Sequence, residues 1–211
     1  MDIQGKTVLI IGGWGLVGSA VCRKFMEEHP RRLIVTSLTE SEAREAVTDL
    51  ERLYPDAGKG FFVPWWGNIF VRDELKDMPR DRILASKKYR AMIIEDMLEE
   101  LSGPVLERSS LYRLLQKFKP DIVVDCVNSA TGIAYQDIFQ SSRKVLKEAK
   151  AVQRSRKATP DKLVEVTEQL ICTLYVPQLI RHVQLMYRSM QLAGTKIYVK
   201  IGTSGTGSEF N

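Results

Sequence analysis

Histidine, cysteine and long apolar runs are all scarce in this chain, and each scarcity narrows what the protein can be. Only His29 and His182 are present, and the three cysteines, Cys22, Cys126 and Cys172, are far apart. Transition-metal sites draw their ligands from clustered Cys and His, so no metal is expected. An odd number of scattered cysteines argues against a disulfide framework and for reduced thiols, which makes the cytoplasm the expected compartment. No apolar stretch approaches the roughly 20 residues a membrane span requires, so no membrane partner is expected. Met1 to Lys6 lead straight into an apolar strand pattern, with no signal peptide in between. Repeats and low-complexity linkers are lacking too. One domain is the simplest account of 211 residues with 44% hydrophobic content, a length that can bury a sizeable core.

Charge of either sign is modest. Much of the net +5 lies between Arg143 and Lys157, where Arg143, Lys144, Lys147, Lys150, Arg154, Arg156 and Lys157 face only Glu148. A phosphate or nucleic-acid patch has this sign. No aromatic residue interleaves with the cations, however, so the solvated side of a helix is the favoured reading and nucleic acid is not an expected partner.

What is present is concentrated at the N-terminus. Val8-Leu9-Ile10-Ile11 is an apolar run that ends in Gly12-Gly13-Trp14-Gly15-Leu16-Val17-Gly18, and an amphipathic segment, Ser19 to Glu28, follows at once. Glycines three apart at 12, 15 and 18 divide the work. One permits a turn that a Cβ would block, one leaves room for a pyrophosphate, and one lets the helix pack closely on the strand. The helix N-terminus then offers free N–H groups and a positive dipole end to phosphate. Strand, glycine turn and helix in that order predict dinucleotide binding; the competing reading is a glycine-rich turn with no ligand.

The rest of the chain fits a sheet of the same kind. Strands are predicted at about Thr7 to Ile11, Leu33 to Thr36, within Phe61 to Trp66, at Ile122 to Val127 and at Lys196 to Ile201. Continuous apolar strands suit a parallel sheet buried on both faces. A helix from Glu42 to Leu53 carries an apolar stripe of Ala43, Ala46, Val47, Leu50 and Leu53, with Thr39 or Ser41 as its cap. Residues 71 to 119 are long for one crossover and read as one or two inserted helices before a final helix, Leu106 to Phe118. Further helices are predicted from about Tyr135 to Lys157 and from Lys162 to Leu192, the last kinked at Pro177. The expected fold class is α/β, a doubly wound parallel sheet of about five strands in the order 3-2-1-4-5 with helical insertions.

These segments together resemble the N-terminal Rossmann portion of a short-chain dehydrogenase/reductase, closest to the extended, epimerase-like branch. Ile11 to Gly18 is similar to that branch's glycine motif. Gly67-Asn68-Ile69 resembles its glycine-aspartate-isoleucine adenine contact, with Asn68 in place of the aspartate. Pro120 to Asn128 resembles its fourth strand, which runs on to the cofactor at Asn128, Ser129 and Ala130. Ile201-Gly202-Thr203-Ser204 resembles the fifth-strand end, which carries a catalytic serine or threonine. The resemblance implies cofactor contacts from Gly12, Gly13, Trp14, Gly15, Leu16, Val17, Gly18, Thr36, Ser37, Asn68, Ile69, Asn128, Ser129 and Ala130. It implies that Thr203 or Ser204 polarises a substrate carbonyl.

Three departures shape the expected function. The second strand ends in Thr36-Ser37-Leu38 with no acid. An acid there would bind the ribose 2′-hydroxyl of NAD, so NADP is the expected cofactor, with Ser37 and Thr39 able to bond a 2′-phosphate and NAD as the alternative. Asp125 stands in a position the family keeps apolar or small, and needs a partner if it is buried. The family's Tyr-x-x-x-Lys does not occur; Tyr112 and Lys117 are one residue too far apart. Two functions stay open. One is the cofactor-binding domain, residues 1–207, of an NAD(P)-dependent oxidoreductase or epimerase whose catalytic Tyr-x-x-x-Lys and substrate region lie beyond this chain. The other is a non-catalytic nucleotide-binding or scaffold protein of the same fold. Residues 208–211, with the preceding Gly207, read either as a vector-encoded tail or as a natural loop. The fifth strand would be an exposed edge, and a homodimer is the expected way to cover it. A small-molecule substrate is expected; its identity is not legible.

Four smaller features have structural readings. Trp65 and Trp66 pack in and over the sheet, Cys126 is an inert strand thiol, His182 lies on a helix away from the chemistry, and Met186 and Met190 are packing residues.

Overall fold

The computed structural model describes residues 2–127, 138–154 and 160–202. Five parallel strands form one sheet: β1 (Thr7–Ile11), β2 (Arg32–Ser37), β3 (Phe62–Trp66), β4 (Ile122–Asp125) and β5 (Ile197–Lys200). Their order is β3-β2-β1-β4-β5, the expected doubly wound arrangement. The central strand earns its place by composition. Every residue of Val8 to Ile11 is at most 1% exposed, and only a strand sandwiched between layers can be apolar throughout.

The chain divides into two compact units, 1–67 with 117–128 and 190–211, and 68–116 with 129–189. The first unit holds the sheet with α1 (Leu16–Met26) and α2 (Glu40–Leu53). Alternate strand residues Val8, Ile10, Leu33, Val35, Phe62, Ile122 and Val124 form one core with Cys22 of α1 and Ala46, Val47 and Leu50 of α2. Thr39 is the cap of α2. Its side chain accepts from the Glu42 N–H while the Glu42 side chain accepts from the Thr39 N–H, which satisfies two orphan donors of the first turn. At one edge of the sheet, β3 carries Pro64 opposite Val35, a residue that parallel sheets tolerate only at an edge.

The second unit is helical: α3 (Arg80–Ala85), α4 (Lys87–Leu98), α5 (Gly103–Glu107), most of α6 (Ser110–Phe118), α7 (Ile138–Arg154), α8 (Pro160–Ile171) and most of α9 (Tyr175–Ala193). Its polar interior is built on arginine. Arg90, 3% exposed, pairs with Glu168 at 2.9 Å and donates to the Leu84 carbonyl at 2.8 Å. Arg72 forks onto both oxygens of Asp96 at 2.7 and 2.8 Å and reaches the Met92 carbonyl at 3.0 Å.

Two helical expectations need correction. The insertion holds three short helices before the last, not one or two, and the last starts at Ser110 rather than Leu106 because Gly103–Glu107 forms its own turn behind Pro104. The helix expected from Lys162 to Leu192 is two helices. In a continuous helix the Pro177 ring would clash with the Thr173 carbonyl. Instead the chain breaks at 172–174, and Pro177 sits in the first turn of α9, where its missing N–H costs nothing. The Cys172 carbonyl freed at the break accepts from Arg80 at 2.8 Å and Gln178 at 2.7 Å. Arg143, Lys144, Lys147, Lys150 and Arg154 are exposed along α7, as a solvated helix face requires, whereas Arg156 and Lys157 lie outside the described residues.

Candidate functional site: the glycine loop and its walls

The turn from β1 into α1 is held from behind by β2. Thr36, 2% exposed, accepts the Gly12 N–H on its hydroxyl at 3.3 Å and the Gly13 N–H on its carbonyl at 2.8 Å. Each glycine then answers a different constraint. Gly12 has φ +79°, a left-handed conformation that glycine adopts without penalty. At Gly13 a Cβ would lie 2.5 Å from Val35 Cγ1, and at Gly18 it would lie 2.0 Å from the Gly12 carbonyl oxygen and 2.7 Å from Gly13 Cα. Gly18 is therefore where α1 packs onto the loop. Gly15 differs: its nearest neighbour, the Gly12 oxygen, would stand at an ordinary 3.5 Å. The surface over Gly15 is open, as a close approach of phosphate to backbone demands.

Helix α1 begins at Leu16, three residues earlier than its amphipathic pattern suggests, so the loop delivers the chain directly into the first turn. Gly15 is the cap residue, no side chain caps the helix, and no acid lies in the first turn. The N–H groups of Leu16, Val17 and Gly18 precede the first intrahelical bond, from Ser19 N–H to the Gly15 carbonyl at 2.8 Å. They form an uncapped, positively polarised end that suits an anion. Leu16 is 88% exposed, and Trp14 and Val17 are exposed beside it. The residues present thus fit a pyrophosphate without rearrangement.

The wall beyond β2 is polar and acidic. Ser37 donates to Glu42 Oε2 at 2.8 Å, and the Thr39 N–H reaches the same oxygen at 3.1 Å. Burial pushes the Glu42 carboxyl up, but the bonds from Ser37, Thr39 and Leu38 outweigh it and hold the group below the ordinary carboxylate range. Glu42 is therefore ionised at neutral pH. Trp14 Nε1 donates to Glu45 at 3.2 Å, and Arg44 lies 5.3 Å over the Trp66 ring while pairing with Glu40 at 2.7 Å. The two hydroxyls read as 2′-phosphate partners, Ser37 and Thr39, are thus both engaged by Glu42: Ser37 donates to its carboxylate, and Thr39 Oγ1 accepts its N–H at 3.4 Å.

On the other side of the loop, Asp125 ends β4 at 1% exposure. It finds the partners its burial requires: Lys200 at 2.8 Å, the Tyr198 hydroxyl at 3.1 Å and the Val127 N–H at 3.0 Å. Burial first, and then the Asp125 charge, raise the Tyr198 phenol well above its usual range. Cys126 is raised for the same two reasons, and burial pushes Cys22 up to about 12. Neither thiol has the thiolate character of a nucleophile, and no group of three potential metal ligands occurs among the described residues.

Asn68 and Ile69 belong to the second unit, where Asn68 Oδ1 accepts the Phe70 N–H at 2.9 Å and Ile69 is buried. Asn128, Ser129, Ala130, Thr203 and Ser204 lie outside the described residues. Glu42 and the Tyr198–Asp125–Lys200 group escaped the sequence reading. Thr39-x-x-Glu42 is a legible capping signature, but the Ser37 bond is not part of it. The side-chain partners of Asp125, Tyr198 and Lys200, lie more than 70 residues away.

An all-parallel sheet in this order, with a glycine turn opening its first helix, defines a dinucleotide-binding α/β fold. The chain belongs to the NAD dependent epimerase/dehydratase family, whose model matches residues 8–164, about three quarters of the length. No curated protein matches it significantly. Among solved structures it is similar to Pen from Bacillus thuringiensis, at 18% identity and a TM-score of 0.32 over 62% of this chain and 41% of that one. It is also similar to L-sorbose reductase from Gluconobacter frateurii, solved with NADPH and L-sorbose, at 10% identity and a TM-score of 0.32 over 96% and 97% of the two chains. The chain spans less than half of the first of these. No helix among the described residues is long and apolar enough to cross a membrane.

Proposed function

We propose that this chain is the cofactor-binding domain of an NAD(P)-dependent oxidoreductase or epimerase. The observation that carries the reading is the contrast among the glycines. Gly12, Gly13 and Gly18 are demanded by the fold, whereas Gly15 is demanded by nothing inside the protein. At Gly15 the open surface adjoins an uncapped helix end, which leaves room for a ligand's phosphate against the free N–H groups. The family assignment supports a nicotinamide dinucleotide as that ligand. Such a cofactor supplies hydride transfer when bound. The chain's own part is to orient it: the N–H groups of Leu16 to Gly18 neutralise the pyrophosphate, Thr36 fixes the loop, and the β4 end beside Val127 bounds the far side. Thr203 and Ser204 are the candidates for polarising a substrate carbonyl.

Thermal melting tests this. A ligand at a hundredfold excess over its dissociation constant adds roughly 2.7 kcal/mol, and a chain of this length gains roughly 2–4 °C per kcal/mol. A rise of several degrees with NAD or NADP, and none with an unrelated anion such as sulfate, is expected. A cooperative melt that neither dinucleotide moves would overturn the reading.

A further inference from the structure

We propose that the outer face of α7 is a docking surface for a bilayer that contains anionic phospholipid, against which the helix lies flat. The helix carries five cations and one acid, so a net +4 of the chain's +5 falls on 17 residues. At 3.6 residues per turn, Arg143, Lys147, Lys150 and Arg154 share an arc of about 60° and form a stripe roughly 16 Å long. All four are exposed, whereas Ile138, Val145, Ala149 and Val152 on the far side are partly buried. The acid, Glu148, is partly buried too and stands well round the helix from the stripe. Phe139 and Leu146 border the stripe and are 75% and 55% exposed. The four cations and these two apolar side chains together cover an arc of about 100°.

Exposure alone is what any solvated helix face shows; the arrangement goes further. Arg143 with Lys147 and Lys150 with Arg154 are like charges four residues apart, and Lys147 with Lys150 are three apart. Such pairs repel and work against the helix. An opposing anionic surface cancels the repulsion. A bilayer with anionic headgroups matches both parts of the face. Its negative surface potential attracts each cation, and apolar side chains beside the cations reach the boundary between headgroups and acyl chains. A nucleic-acid backbone would satisfy the cations and leave Leu146 in water. No span is needed, because a basic helix with exposed apolar residues lies on a membrane rather than crossing it. The helix α7 belongs to the helical unit, and nothing in this contact depends on a dinucleotide.

The test is flotation of the full chain with lipid vesicles, either phosphatidylcholine alone or phosphatidylcholine with about a third phosphatidylserine. Wild type is expected to float with the anionic vesicles at about 0.1 M salt, to be released at about 1 M, and to ignore phosphatidylcholine alone. Each cation near such a surface contributes about fivefold, so Lys147→Gln/Lys150→Gln should bind at least roughly tenfold more weakly. Lys59→Gln/Lys87→Gln makes the same charge change at exposed positions outside α7 and should bind as wild type does. Phe139→Ser/Leu146→Ser should also bind more weakly, although its charge is unchanged. Every substituted residue is exposed, so an unaltered melting temperature is expected and checks the fold. Failure of wild type to float with anionic vesicles overturns the proposal, as does wild-type affinity in Lys147→Gln/Lys150→Gln. Wild-type affinity in Phe139→Ser/Leu146→Ser, or tighter binding to duplex DNA of the same total charge in fluorescence anisotropy, overturns the choice of a lipid surface and with it the proposal.

Discussion

Replacing Gly15 or Gly18, three residues apart on the same turn, should break different things. At Gly18 an added Cβ would stand 2.0 Å from the Gly12 carbonyl oxygen and under 3 Å from Gly12 C and Gly13 Cα. All three atoms are backbone, so no side chain can swing aside; α1 must lift away from the loop by more than 1 Å to restore an ordinary 3.4 Å contact. Overpacking of this kind costs about 1–3 kcal/mol, and the backbone identity of the clash places Gly18→Ala at the upper end. For a chain of this length that lowers the melting temperature by roughly 6–12 °C. At Gly15 the added Cβ meets nothing closer than 3.5 Å, so Gly15→Ala should cost roughly 1 kcal/mol or less, the penalty of alanine at a helix cap. It should nonetheless weaken dinucleotide binding at least roughly tenfold, because the methyl group occupies the approach to the helix N–H groups. Differential scanning fluorimetry with and without cofactor reads both quantities on the same samples. Wild-type melting of Gly18→Ala would refute the packing argument. Wild-type cofactor affinity of Gly15→Ala would refute the assignment of the open surface to pyrophosphate.

Further outcomes follow from the walls of the site and from the helical unit. Thr36→Val keeps the shape of a buried side chain but orphans the Gly12 N–H; a loss of about 1–3 kcal/mol in urea denaturation, with weaker cofactor binding, is expected. Glu42 has its carboxyl held below the ordinary range in the folded state. Its contribution is therefore present above the unfolded carboxylate pKa and lost as pH falls through the lower folded value. The stability gap between wild type and Glu42→Gln should be open at pH 7 and close in acid, and denaturation at stepped pH reads it. Cys22, pushed up to about 12, and Cys172, pushed up to about 11, should resist iodoacetamide at pH 8 until the chain is unfolded, as mass spectrometry of the alkylated protein will show. Arg90→Ala strands Glu168 and the Leu84 carbonyl and should cost about 3–5 kcal/mol by denaturant midpoint.

The sheet was legible because its signals are local. Runs such as Val8 to Ile11 and Ile122 to Val124 have one reading when turn residues bound them, and Gly12, Gly15 and Gly18 sit at spacings that few other structures require. The Thr39 cap was legible for the same reason. The helical unit was not, because side chains set its breaks. Arg80 and Gln178 satisfy the carbonyl that lets the chain turn before Pro177, and Arg80 lies 92 residues from it in sequence. The electrostatics of the site failed to show for a related reason. A search for an acid at the end of β2 finds Ser37, and only the fold reveals that Ser37 holds Glu42. Asp125 looked like a liability until β5 brought Tyr198 and Lys200 against it.

Pro64 gives the sheet a direction of growth. The Phe61 carbonyl and the Gly67 N–H bond to β2, and since backbone groups alternate sides along a strand, Pro64 turns its missing donor to the outer edge. A strand arriving on that flank would find a gap where the ladder needs an N–H, so the β3 side is closed to addition. The opposite flank has no such stop. Tyr198 and Val199 of β5 are 39% and 43% exposed, and the strand contains no proline. Any lengthening of this sheet, by more of the same polypeptide or by another molecule, is steered to the side where Asp125, Tyr198 and Lys200 already meet.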